Sequence, residues 1–141
     1  MSGVLPNQEI EKLIEVGSIT SDVPIDPEQI QPASLDLRLG GKAFRIRASF
    51  LPGSREKVED RLNSLKMHEI DLIDGAVLEK GCVYLVTLLD ELNLSPDIQA
   101  AANAKSSTGR LDLLTRVITN SGEEFDRVSS GYCGKLYAEI C

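Results

Sequence analysis

Cysteine, histidine and positive charge are all scarce in this chain of 141 residues. The three cysteines, Cys82, Cys133 and Cys141, are odd in number and form no CxxC pair. That argues against a disulfide framework and fits reduced thiols in a cytosol. Fifteen Lys and Arg stand against 22 Asp and Glu, giving a formal net charge of −7. Binding a polyanion needs a basic face that releases counterions, so broad contact with nucleic acid or an anionic membrane is disfavoured, and any anion site has to be local. No run of eighteen or more apolar residues exists, and the opening MSGVLPNQEIEK lacks the basic and apolar regions of a secretory signal. The expectation is a cytoplasmic protein without a membrane span. Two phosphate-binding signatures are missing as well: there is no GxxxxGK[ST], and no GxGxxG follows a strand.

What is present is ordinary for a soluble globular domain, with a hydrophobic fraction of 42% and a charged fraction of 26%. Residues 1–141 read as a single domain. The segment PNQEIEKLIEVGSI places Ile10, Leu13, Ile14 and Ile19 on one side, with Asn7 as N-cap and Gly17 as C-cap, and predicts a helix over Asn7 to Val16. SDVPIDPEQIQPAS, with three prolines, is a loop. SLDLRLG and KAFRIRASF alternate with period two and predict two strands joined at Gly40 and Gly41. Val58, Leu62 and Leu65 recur at helical spacing among charges, which predicts a helical excursion on the surface within Ser54 to Leu65. The segment AVLEKGCVYLVTLLDELNLSPDIQAAANA, with a near-continuous apolar run around Gly81 rich in Val, Tyr and Thr, predicts two or more buried strands. A strand, a turn at Asn120 to Gly122, a loop at Ser129 to Gly134 and a last strand complete the chain. Many short strands broken by Gly, Pro and Ser indicate an antiparallel sandwich or barrel.

The last strand carries Leu136, Ala138 and Ile140 on one face and stops at Cys141. An open edge of this kind is a liability that sheets usually cover. The expectation is therefore that the chain is a piece of something longer; the alternative is that the strand pairs with strands already present upstream.

One stretch carries more chemistry than a turn requires. In NAKSSTGRLDLL, Ser106, Ser107 and Gly109 are small enough to let backbone and hydroxyls approach a ligand, while Lys105 and Arg110 supply charge-assisted donors for phosphate oxygens or a developing anion. The combination describes an anion-binding loop. From spacing alone such a run is more often a solvated turn than a ligand site.

Three separated segments decide between these readings. IQPASLDLRLG resembles the N-terminal signature of dCTP deaminases, AKSSTGRLDLL resembles their nucleotide loop, and GYCGKLYAEI resembles the motif that ends in their catalytic glutamate. The resemblance extends over nearly the whole chain. It implies a fold of the dUTPase-like superfamily, a distorted antiparallel β-barrel or jelly roll, with the short N-terminal helix and the helical insertion resembling the longer, two-repeat bacterial form. On that ground the chain is expected to be the N-terminal part of such an enzyme, truncated at its C-terminus.

Residue by residue, the resemblance implies that Glu139 is the general base and that Ser106 and Arg110 belong to the catalytic hydrogen-bond network. It places Lys105 and Ser107 with the triphosphate, Lys105 standing where compact members have arginine, and Arg127 beside the base and sugar. Ser129 stands where an aspartate is usual, and the tail that closes over the phosphates is missing. The implied partners are dCTP or dUTP nucleotides and two further subunits or repeats in a homo-trimer or pseudo-trimer, with magnesium (Mg2+) accompanying the triphosphate.

The residue types suit the chemistry. Hydrolytic deamination needs a water deprotonated for attack at C4, protons delivered to N3 and the departing amine, and a stabilised tetrahedral centre. A buried glutamate tuned toward neutrality can move those protons. Zinc-dependent deamination requires H-x-E with P-C-x-x-C. Here the single histidine, His68, is followed directly by Glu69 and no cysteine pair exists, so no zinc is expected. Two other functions stay open: dUTP diphosphatase chemistry on the same scaffold, and a non-catalytic half that binds nucleotide or builds the oligomer. Without the resemblance, Glu139 reads as a solvent-facing strand carboxylate, Asp36 and Arg38 as structural partners, His68 as a surface residue, and Tyr132 as either a turn packer or a stacking ring.

Overall fold

The computed structural model describes residues 3–103 and 114–141. Helix α1 (Asn7–Glu15) buries Ile10 and turns Leu13 and Ile14 toward the same core, as the spacing requires. Its start differs from expectation. The cap position is Pro6, whose carbonyl accepts from the Glu9 and Ile10 amides, while the Asn7 amide donates to the Pro32 carbonyl at 2.9 Å. The helix end is as expected: Gly17 sits at φ 83°, its amide donates to Ile14 O, and the Ser18 amide donates to Leu13 O at 2.8 Å. That pair of bonds is a Schellman motif, which satisfies two carbonyls the helix leaves open.

After strand β1 (Ile19–Thr20) and a short 3-10 turn at Pro27–Gln29 come β2 (Leu39–Ile46), α2 (Val58–Leu65), β3 (Lys66–Asp71), β4 (Val83–Asn93), β5 (Ala100–Ala101), β6 (Thr115–Thr119) and β7 (Arg127–Val128). β8 (Cys133–Ile140) closes the series. The main sheet has the order β3-β2-β4-β8-β6, all antiparallel, with β1 added along the end of β4; β5 and β7 form a separate two-stranded ribbon.

Four expectations are corrected by this topology. Gly40 and Gly41 do not turn a hairpin: β2 runs through them, and the register against β4 slips between Leu39 opposite Leu88 and Ala43 opposite Val86. A Cβ on Gly40 would lie 2.3 Å from the Thr87 carbonyl oxygen, so the double glycine lets two backbones touch at a bulge. The segment expected to hold two or more buried strands holds one, β4 of 11 residues, buried or half-buried from Val83 to Leu92, and the short exposed β5. The terminal strand is not open. β8 lies between β4 and β6, paired to both, which is the alternative the sequence left standing.

Helix α2 is the fourth correction. It is no surface excursion: Val58 and Leu62, at 0% and 7% exposure, join Ile46, Phe50, Leu85, Ile118 and Tyr137 in one core. The opposite core gathers Ile10, Ile19, Leu88, Leu92, Val117, Leu136 and Ala138 beneath α1. Alternation along β8 therefore sends even positions toward α1 and odd positions toward α2.

The IQPASLDLRLG segment earns its residues structurally. Fully buried Asp90 accepts from the Arg38 backbone amide at 3.0 Å and from Arg38 Nη2 at 2.9 Å. Arg38 also donates to the Val23 and Pro24 carbonyls and to Ser21 Oγ, pinning the proline-rich loop to β4. Buried Gln29 donates to the Asp36 carbonyl and accepts from the Asp26 amide, both at 2.9 Å. Asp36 Oδ2 accepts from Gln31.

Candidate active site

Glu139 occupies an odd position of β8, directly opposite Leu85 on β4 and Arg116 on β6. It is 2% exposed, and the solvent-facing reading of this carboxylate is overturned. Both faces of β8 are covered from Leu136 to Ile140, so a side chain at 139 is drawn inside. A carboxylate there needs partners, since an unpaired buried charge costs several kcal/mol.

It has two. Ser49 Oγ donates to Glu139 Oε2 at 2.7 Å, and Arg116 Nη2 donates to Oε1 at 2.8 Å. Arg116 Nη2 also donates to Ser49 Oγ at 3.3 Å, closing a triangle of three side chains. The Arg116 guanidinium lies 3.9 Å from the centre of the Phe125 ring, a cation–π contact that fixes its plane. Phe125 in turn is set by a tight turn. Asp126, at φ 60°, donates its amide to Val117 O and accepts the Val117 amide on Oδ1 at 2.7 Å.

The chain flanking the polar loop is tied to these same walls. The Ala102 amide donates to the Asp126 carbonyl, and Leu114 exchanges two backbone bonds with Cys141, two positions beyond Glu139. Lys105, Ser106, Ser107 and Arg110 themselves lie outside the described residues.

Arg127 is exposed, weakly paired to Glu124 at 3.9 Å, and takes no part in the Glu139 triangle. It lines a cavity of about 380 Å³ together with Thr119, Gly122, Glu124 and Ser129. Tyr132 packs in its turn: its hydroxyl accepts from the Asn120 amide and donates to the Lys135 carbonyl. Burial raises the phenol pKa of Tyr132, and raises that of Tyr137 further, with the nearby Glu59 charge adding to the second shift. Tyr137 is thus a neutral neighbour of Glu139 on the same face of β8. His68 is exposed on β3.

Among the described residues, no three His, Cys, Asp or Glu side chains gather as a metal cage.

The sequence profile of the 2'-deoxycytidine 5'-triphosphate deaminase (DCD) N-terminal domain matches residues 1–141. The chain belongs to this family. The dCTP deaminase of Actinobacillus succinogenes is 30% identical over 143 residues, covering 96% of this chain and 71% of that protein. A dCTP deaminase described as dUMP-forming, from Methanothermobacter thermautotrophicus, is also 30% identical, with 97% and 67% covered. The crystal structure of 2'-deoxycytidine 5'-triphosphate deaminase from Agrobacterium tumefaciens matches with a TM-score of 0.95 and 54% identity, over 98% of this chain. The chain spans 41% of that Agrobacterium deaminase chain. The dCTP deaminase family and its mainly β, dUTPase-like fold are thus as the sequence segments implied.

Within this deaminase-family domain, sequence reasoning singled out Glu139 and missed the two described side chains that hold it, Ser49 and Arg116. Arg116 carried a usable signal, because it is a lone cation in the apolar strand TRVIT, where a charge at an inward position demands an acid across the sheet. Ser49 carried none; it follows β2 in an irregular segment, and its reach to Glu139 spans 90 residues of sequence.

Proposed function

We propose that this chain catalyses hydrolytic deamination of dCTP to dUTP, with Glu139 as the proton-transferring base. The observation that carries the reading is a buried carboxylate, positioned at both oxygens, in a member of the dCTP deaminase family. Water attacks C4 of the cytosine and its oxygen becomes the new carbonyl. Of its two protons, Glu139 relays one to N3 and one to the departing amine, which leaves as ammonia. The step at the base needs no metal; magnesium enters with the triphosphate. Ser106 and Arg110 steady the water and the developing charge, Lys105 and Ser107 hold the phosphates, and Arg127 borders the sugar and base. Supporting this are the anchors at Ala102 and Leu114, which tie both sides of that loop to the walls around Glu139. The protein is proposed to work in the cytoplasm as a trimer or pseudo-trimer.

A second reading is favoured by one observation. Relatives such as that of Methanothermobacter thermautotrophicus are described as dUMP-forming, which adds pyrophosphate release to deamination. Ser129, where an aspartate is usual, argues for the simpler reaction. Incubation with dCTP, dUTP and dCMP followed by separation of products tests both. Ammonia with dUTP supports the proposal; ammonia with dUMP and pyrophosphate supports the second reading; no turnover of any nucleotide contradicts both for this chain.

A further inference from the structure

Glu139 must do more than be buried if it is to move protons: its spare lone pairs have to point at one place. A carboxylate offers about four acceptor positions. The described contacts use one on each oxygen, Ser49 on Oε2 and Arg116 on Oε1, so the carboxyl plane is fixed while acceptor capacity remains on both atoms. Arg116 meets the carboxylate end-on through Nη2 alone and does not close a bidentate fork. A fork would hold the charge more tightly and occupy both oxygens at once. The guanidinium is kept in this end-on pose from its other side by the Phe125 ring at 3.9 Å.

We infer that Ser49 and Arg116 are positioning residues for the base, with Phe125 holding Arg116 in place, so that the carboxylate is preset before substrate arrives. Resting on the reading of Glu139 as base, the inference adds a division of labour. Ser49 fixes one oxygen by a hydrogen bond that can be removed without touching the core, since Ser49 is an exposed residue. Arg116 fixes the other and also neutralises the buried charge. A purely structural role for the triangle makes a different prediction. It lowers melting temperature on mutation but leaves the folded fraction fully active.

Ser49→Ala is the informative variant because it opens no core cavity and leaves Arg116 on the carboxylate. The expected result is a kcat lower by roughly tenfold to a hundredfold, the size of loss that a small misplacement of a catalytic group produces. KM for dCTP should stay within about twofold and melting temperature within a few degrees, and Ser49→Thr, which restores the hydroxyl, should recover most of the rate. Phe125→Leu, which keeps an apolar cover but removes the ring face, should lower kcat in the same direction by a smaller factor. Wild-type kcat in Ser49→Ala, with Glu139→Gln inactive, overturns the inference and leaves the base standing. An active Glu139→Gln removes the base and the inference together, as does a wild-type chain silent on dCTP. A loss of rate that Ser49→Thr fails to recover also counts against positioning by the hydroxyl.

Discussion

Among the described residues, buried charge sits at two side chains, and each is held by an arginine from a neighbouring element. Asp90 and Glu139 are 0% and 2% exposed, paired to Arg38 and Arg116 respectively. Asp90 has the fuller set of bonds, because it also accepts a backbone amide, and it serves the fold. Removing it strands a half-buried arginine, so Asp90→Ala is expected to cost about 3–5 kcal/mol in urea unfolding. A loss below about 1 kcal/mol would show that the proline-rich loop is held by other means. Tyr137 makes a different prediction. Its pKa is raised in the folded protein by burial first and by Glu59 second. The folded state therefore favours the neutral phenol, and stability should fall once pH exceeds the unfolded value of about 10. Tyr137→Phe cannot ionise and should lose less stability than wild type over that alkaline range; parallel curves would contradict the assignment. At this scale the sequence was legible where a residue had one chemical use, as with Arg38 in a structural pair. It was illegible for Ser49, whose role depends on a contact between β2's exit and β8 that no local pattern encodes.

Elements were legible through periodicity and obscured where two backbones meet. The helical spacings of α1 and α2 were visible, yet whether α2 lay on the surface or in the core was not, since Val58 and Leu62 form the same stripe in either case. The double glycine was misread for a related reason. Glycine marks turns and close approaches alike, and only the partner strand tells them apart. The two glycines now separate cleanly in a prediction. Gly40→Ala places a methyl 2.3 Å from a backbone oxygen that cannot rotate away, and should cost about 1–3 kcal/mol. Gly41→Ala meets only the Ile73 side chain, at 3.6 Å, and should change stability by less than about 0.5 kcal/mol. Thermal melts of the two variants side by side check the bulge, and equal losses would refute it.

At the scale of the molecule, the physical argument for partners has changed. An open terminal strand no longer demands one, because β8 is the interior of the sheet and the described edges of that sheet are β3 and β6. The expectation of a trimer or pseudo-trimer rests on the family alone. Light scattering coupled to size exclusion should give three times the mass of the chain, and a stable monomer over a wide concentration range would contradict it. Fold class and family were legible because several motifs agreed in order and spacing with a strand-rich pattern. The site was half legible: its proposed base lay in a motif, while the groups that hold that carboxylate came from segments joined only by folding. The measurement that reaches the central claim is turnover of dCTP by Glu139→Gln, read beside dCTP affinity and melting temperature. The substitution keeps shape and most hydrogen bonds while deleting the transferable proton. The account predicts retained binding, a retained fold and a rate lower by a factor on the order of 10² to 10⁴. Wild-type turnover in a folded Glu139→Gln protein would contradict it.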